Sequence, residues 1–196
     1  MEQSLKYQPL KGNKPEADNV PTPRWVVDVV FNSLSPSGTF LDPCSGLGYK
    51  PFYEKAKECR TITHQEQMDI RDDPHKDFLM ESFPPEMVFD WIITNPPWSK
   101  ARQFIDKGLE VANNVAYVIT INHLFTKARI RLLEKHSAWI SNILLLPPVD
   151  EFPSTGFQLG VIHLSKNHSG PTNIVHCTEG GELQSELFDQ HELNVG

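Results

Sequence analysis

Two apolar stretches near the carboxyl end, ISNILLLPP (140–148) and GFQLGVIHLS (156–165), are separated only by VDEFPST. That linker is too short for the crossover that joins parallel neighbours, so the pair reads as an antiparallel hairpin. Everything before it reads differently. TFLDP, DWIIT and VAYVITINHL are short apolar runs, and the last is apolar at nearly every place, as strands buried on both faces are. RTITHQEQ is a poorer strand, polar at every second place.

Helical patterns fill the gaps. In TPRWVVDVVFNSL, Thr22 suits an N-cap and Pro23 a first helical position, with Trp25, Val26, Val29, Val30 and Leu34 on one stripe. A short helix follows CSGLG, ARQFIDKGLEVANN turns Phe104, Ile105 and Leu109 inward, and KARIRLLEKHSAW supplies another. Strands alternating with helices and closed by a hairpin predict an α/β, doubly wound, open sheet of about seven strands, parallel except at the hairpin, with helices on both faces. Residues 1–20 are polar and aperiodic and read as a flexible arm, 21–166 as the domain, and 167–196 as a weakly patterned covering extension.

A chain of 196 residues and 22.3 kDa suits one domain with a real core. No apolar run reaches the ~20 residues of a membrane span, and the N-terminus lacks the apolar core of a signal peptide, which predicts a cytoplasmic protein away from membranes. Cys44, Cys59 and Cys177 have neither an even count nor ligand spacing, so neither a disulfide framework nor a metal site is expected. The net charge of −7 restricts any nucleic-acid contact to a local basic surface.

In open α/β sheets ligands bind beyond the carboxyl ends of the strands. Two stretches stand there. In LDPCSGLG, Asp42 ends a strand, and Gly46 and Gly48 let the backbone approach a ligand. The lysine and hydroxyl pair of a phosphate loop is missing, and the Gly-x-Gly-x-x-Gly spacing of dinucleotide binders fails. In TNPPW the strand must stop at Asn95, because proline cannot donate to a sheet ladder. A ring-conjugated amino group is a poor nucleophile, and acceptors aimed at its N–H bonds assist it as the nitrogen turns tetrahedral. The Asn95 side-chain oxygen and the Pro96 carbonyl suit that task; Pro96 and Pro97 stiffen the turn, and Trp98 offers a stacking face.

With these motifs the chain resembles the class I S-adenosylmethionine (SAM)-dependent amino-methyltransferases, specifically those of the gamma motif order that modify adenine N6 in DNA. The resemblance covers about residues 21–166 and implies a Rossmann-like fold with SAM as cofactor. It places Thr22 and Pro23 near the methionine carboxylate, Asp42 near the methionine ammonium, and Pro43, Cys44 and Gly46 alongside. It implies that Asp69, with Glu66 as rival, holds the ribose hydroxyls, and that Asp77 and Phe78 cap a third strand beside the adenine. NPPW, residues Asn95, Pro96, Pro97 and Trp98, matches the catalytic motif. Phe152 falls where the family carries an aromatic that stacks on the flipped base, and Phe157 could do that work instead.

Methylating a base within a duplex requires flipping it out into such a slot, here of Trp98 and Phe152. Phosphates would meet Lys100 and Arg102, with Lys127, Arg129 and Arg131 on the next helix. A separate target-recognition domain, usual in the family, is not expected in the roughly thirty residues after the last strand. A partner subunit or a second copy would then supply recognition. Ribosomal RNA bases and protein glutamine amides are alternative substrates of such turns, and a SAM-binding accessory subunit is an alternative role.

Overall fold

The computed structural model describes residues 20–153 and 156–178. The expected arm, except residue 20, and residues 179–196 of the extension lie outside the described residues. The order is α1 (Arg24–Leu34), β1 (Gly38–Asp42), α2 (Pro51–Glu58), β2 (Ile62–Gln67), β3 (Phe89–Thr94), α3 (Ala101–Val111), β4 (Ala112–Thr120), α4 (Lys127–Lys135), β5 (Trp139–Leu145), β6 (Leu159–Ser165) and β7 (Asn173–His176). Short 3-10 turns at Trp98–Lys100 and Ile121–His123 lead into α3 and α4.

The seven strands form one sheet in the order β2-β1-β3-β4-β6-β5-β7. β5 and β6 pair antiparallel, as their short linker requires, and β6 also runs antiparallel to β4. Every other neighbouring pair is parallel. Alternate side chains feed two cores, one on each face of the sheet. Phe40, Trp91, Ile93, Ala116, Val118 and Val161 pack under α1 and α2. Leu41, Ile92, Val115, Tyr117, Ile119 and Ile162 pack under α3 and α4. The two-residue period of a strand, buried here on both faces, thus explains why residues 115–119 are apolar without a break. Tyr117 is fully buried, and its hydroxyl donates to the Phe104 carbonyl at 2.9 Å. Gly108 of α3 makes room for it, since a Cβ there would overlap that hydroxyl.

Three local expectations need correction. α1 starts at Arg24 with Pro23 at the N-cap, and Thr22 makes no capping bond; a buried Thr22 faces the site instead. No strand forms between β2 and β3, so Asp77 and Phe78 lie in a run of turns. Aspartates close those turns on the backbone: Asp73 accepts from His75 N–H at 2.9 Å and Asp77 from Leu79 N–H at 3.0 Å, while Pro74, Pro84 and Pro85 withhold ladder donors. The sheet, finally, runs past residue 166 into β7, which pairs with β5 from Asn142↔Asn173 to Leu145↔His176. β7 is an edge strand with exposed positions, so NIVH carries no apolar alternation to betray it. Among the described residues no helix is long and apolar enough to cross a membrane.

Candidate active site

β2, β1 and β3 are neighbours and parallel. The loops that follow them therefore leave the sheet at one rim, and they enclose a cavity of about 770 Å³. Of the anticipated residues, Thr22, Pro43, Cys44, Asp69, Asp77, Phe78, Asn95, Pro97 and Lys100 line it. Ile70, Leu79 and Tyr49 add apolar wall, and Arg71 and Lys76 add positive charge.

Asp42 is fully buried and does not itself line the cavity, although Pro43 and Cys44 next to it do. Its Oδ1 accepts from the Thr94 hydroxyl at 2.7 Å and from the Cys44 N–H at 3.3 Å, while its Oδ2 is buried with no partner. Burial pushes this carboxyl up to about 7, against the lowering by its two donors, and the Asp69 charge adds to the rise. A buried acceptor left open beside a cavity is costly unless something arrives to fill it.

Asp69 is also buried, and its carboxylate is saturated. Oδ1 accepts from Arg71 N–H at 2.9 Å and Arg71 Nε at 2.8 Å; Oδ2 accepts from Gly46 N–H at 2.8 Å and an Arg71 terminal nitrogen at 2.7 Å. Burial alone would raise its pKa, but these donors bring it below the ordinary carboxylate value. Gly46 reaches this bond with φ at +89°, a backbone state that favours glycine. Glu66, the rival, pairs with His64 on β2 and does not line the cavity.

Asn95 is held at both ends of its amide. Its Nδ2 donates to the Val20 carbonyl at 3.1 Å, and its Oδ1 accepts from the Trp98 indole at 3.3 Å. The two bonds together fix which end is oxygen, and one lone pair of Oδ1 remains. The indole N–H is shared with the Val118 carbonyl at 3.1 Å. Pro96 is buried behind the turn.

The anticipated aromatic slot is closed on itself. Trp98 and Phe152 stack with centroids 5.9 Å apart and planes 8° from parallel. Holding a base between two rings requires about 7 Å, twice the contact distance. Phe152 is buried, whereas Phe157 is 61% exposed. Arg102 lies on the exposed side of α3, outside the cavity. Neither Thr94, Arg71 nor the Val20 carbonyl was signalled by the sequence. Thr94 and the Val20 carbonyl act through hydrogen bonds between segments of distant origin that meet at the rim, whereas Arg71 reaches Asp69 from two residues along the same loop.

This architecture is the Rossmann-like class I methyltransferase fold. A protein of Listeria monocytogenes put forward as a class I SAM-dependent methyltransferase superposes with a TM-score of 0.62 at 14% identity, over 81% of this chain and 66% of that one. A modification subunit put forward for a type I restriction enzyme of Vibrio vulnificus YJ016 gives 0.58 at 18% identity, over 81% of this chain and 47% of that one. The type I restriction-modification methyltransferase subunit of Streptococcus thermophilus gives 0.54 at 17% identity, again over 81% and 47%. The chain thus spans about two thirds of the first protein and about half of the two subunits. No family model and no curated protein matches the sequence.

Proposed function

We propose that this protein transfers a methyl group from SAM to the exocyclic N6 amino group of adenine in DNA. The observation that carries the reading is Asn95: a side-chain oxygen of fixed orientation, on the cavity wall, with one acceptor site left. Bound SAM supplies an electrophilic methyl group on a sulfonium centre.

The residues present fit that molecule. The unpartnered Oδ2 of Asp42 suits an ammonium, with the cavity residues Thr22, Pro43 and Cys44 around the amino-acid end. Asp69 suits the ribose diol once Arg71 yields a bond, and Ile70, Asp77 and Phe78 suit a purine. Asn95 Oδ1 and the Pro96 carbonyl would accept hydrogen bonds from the two N–H groups of the target amine, drawing its lone pair out of conjugation and stabilising the positive charge that builds on nitrogen as it becomes tetrahedral, with the surplus proton then lost to water. Pro97 stiffens the turn, and Trp98, held by its indole bonds, would offer the base an aromatic face once Phe152 moves off it.

Two further supports are the neighbours themselves, since the Vibrio protein is put forward as the modification subunit of a type I restriction enzyme and the Streptococcus protein is a type I restriction-modification methyltransferase subunit. They favour DNA as substrate and a partner subunit for recognition. Incubation with labelled SAM and separate pools of DNA, RNA and protein tests the reading. Label in N6-methyladenine of DNA is expected; label confined to RNA or to protein glutamine, or none in any pool while SAM binds, would overturn it.

A further inference from the structure

Helices α3 and α4 lie on the same face of the sheet and are clamped by Asp106. Its carboxylate accepts from Lys135 Nζ at 2.8 Å and pairs with His136 Nε2 at 2.6 Å. Arg102 stands one turn before Asp106 on the same side of α3, and Arg129 stands two turns before His136 on the same side of α4. The clamp therefore places Arg102 and Arg129 at the same end of the helix pair. That end is the carboxyl rim of the sheet, beside the turn that carries Asn95.

Among the described residues, Lys100, Arg102, Lys127, Arg129 and Arg131 make no ion pair, whereas Arg24, Lys50, Lys55, Arg71, Lys107 and Lys135 do. Burial and the charge of Arg102 both disfavour the proton on Arg129, and burial and Arg129 disfavour it on His123. The Arg129 Nε is buried with no partner. Both helices point their N-termini at this place, and neither has an acidic residue in its first turn. A helix start favours negative charge; here it carries cations, in a protein of net charge −7. The arrangement is unfavourable in isolation and becomes favourable when an anion arrives. Phe125, 63% exposed, stands just before the α4 cap.

We propose that Arg102 and Arg129, flanked by Lys100 and Lys127, grip the phosphodiester backbone of the nucleic-acid strand that carries the target base, with Phe125 as a stacking surface for a neighbouring base. Paired guanidinium forks match phosphate oxygens, and an exposed ring accepts any unstacked base. The placement of the target base rests on the amino-methyl transfer reading; the grip on phosphate does not. A protein amide offers no such anion, so the surface favours nucleic acid over a protein substrate.

Fluorescence anisotropy with a labelled 30-base-pair duplex and its single strands, across a salt series, tests this. The double variant Arg102→Gln/Arg129→Gln should bind about tenfold or more weakly, and the slope of log K against log salt should fall by about 1.5, at ~0.7–0.9 per phosphate contact. Arg60→Gln, at the opposite rim before β2, should change neither. Phe125→Ala should weaken the single strands by about tenfold. The double variant should melt no lower than the parent, because it removes a repulsion, and should bind SAM unchanged by calorimetry. Parent-like affinity and slope in the double variant, or no binding by the parent at low salt, would overturn the proposal. A parent that binds through this pair yet transfers no methyl group would overturn the transfer reading and leave the surface standing.

Discussion

Asn95 and Trp98 orient each other: the indole N–H reaches the Asn95 oxygen at 3.3 Å and the Val118 carbonyl at 3.1 Å. With the Val20 carbonyl holding the amide nitrogen, the Asn95 side chain is preorganised before any substrate arrives. Preorganised acceptors act without reorganising at the moment of reaction, which is where they gain their effect.

Asn95→Ala should therefore leave SAM affinity near that of the parent while single-turnover transfer falls by ~10²-fold or more, since an interaction strengthened in the transition state is lost. Asn95→Asp keeps an acceptor in place and should retain partial activity. Transfer at the parent rate by the alanine variant, with fold and SAM binding intact, would make the turn purely structural.

Asp42 and His163 give stability opposite dependences on pH. The Asp42 carboxyl is pushed up to about 7 by burial, so it favours the fold most below the unfolded value of 3.8 and loses that contribution as pH rises through about 7. His163 stacks on Trp91, accepts from Asn142 at Nδ1 and pairs with Asn114 at Nε2; burial first and His168 second lower it to about 4. Its contribution is present above 6.5 and is lost as pH falls through about 4. Each slope is at most about 1.4 kcal/mol per pH unit, so the two offset each other between about 4 and 6.5. Asp42→Asn should expose the His163 slope, with stability rising over that window, and should raise the melting temperature at pH 8 while weakening SAM binding. A flat profile in the variant, followed by thermal melts, would refute the pairing.

Asp69 has no free acceptor site while Arg71 holds it. If Asp69 accepts from a ribose diol, Arg71 competes for the same oxygens. Arg71→Gln should then tighten SAM binding a few-fold by calorimetry, and Asp69→Asn should weaken it by about tenfold or more, as buried charged hydrogen bonds are lost. Weaker binding in Arg71→Gln would assign the arginine to the cofactor instead.

Gly108→Ala should destabilise the fold by about 1–3 kcal/mol, because the added Cβ overlaps the buried Tyr117 hydroxyl. The general preference of helices for alanine over glycine, about 1 kcal/mol, acts the other way. Gly108→Ala in a Tyr117→Phe background should lose much of that cost. Urea unfolding of the four proteins measures the coupling directly.

The sequence by itself determined what depends on local pattern. Strand and helix periods, the short linker before β6 and the prolines after Asn95 are properties of adjacent residues, and they were enough for the alternating fold, the hairpin and the two rim loops. β7 escaped because an edge strand buries little and needs no alternation. The missing strand at Asp77 escaped because side-chain bonds to nearby backbone outcompeted a ladder there. Only the tertiary structure decided which atoms meet. Thr94 on Asp42, Gly46 on Asp69 and Val20 on Asn95 all depend on loops brought together by neighbouring parallel strands. The charge state of Asp42 and the closed stack of Trp98 on Phe152 follow from that same convergence. Burial and hydrogen-bond geometry arise between segments far apart in the chain, and no window of sequence contains them.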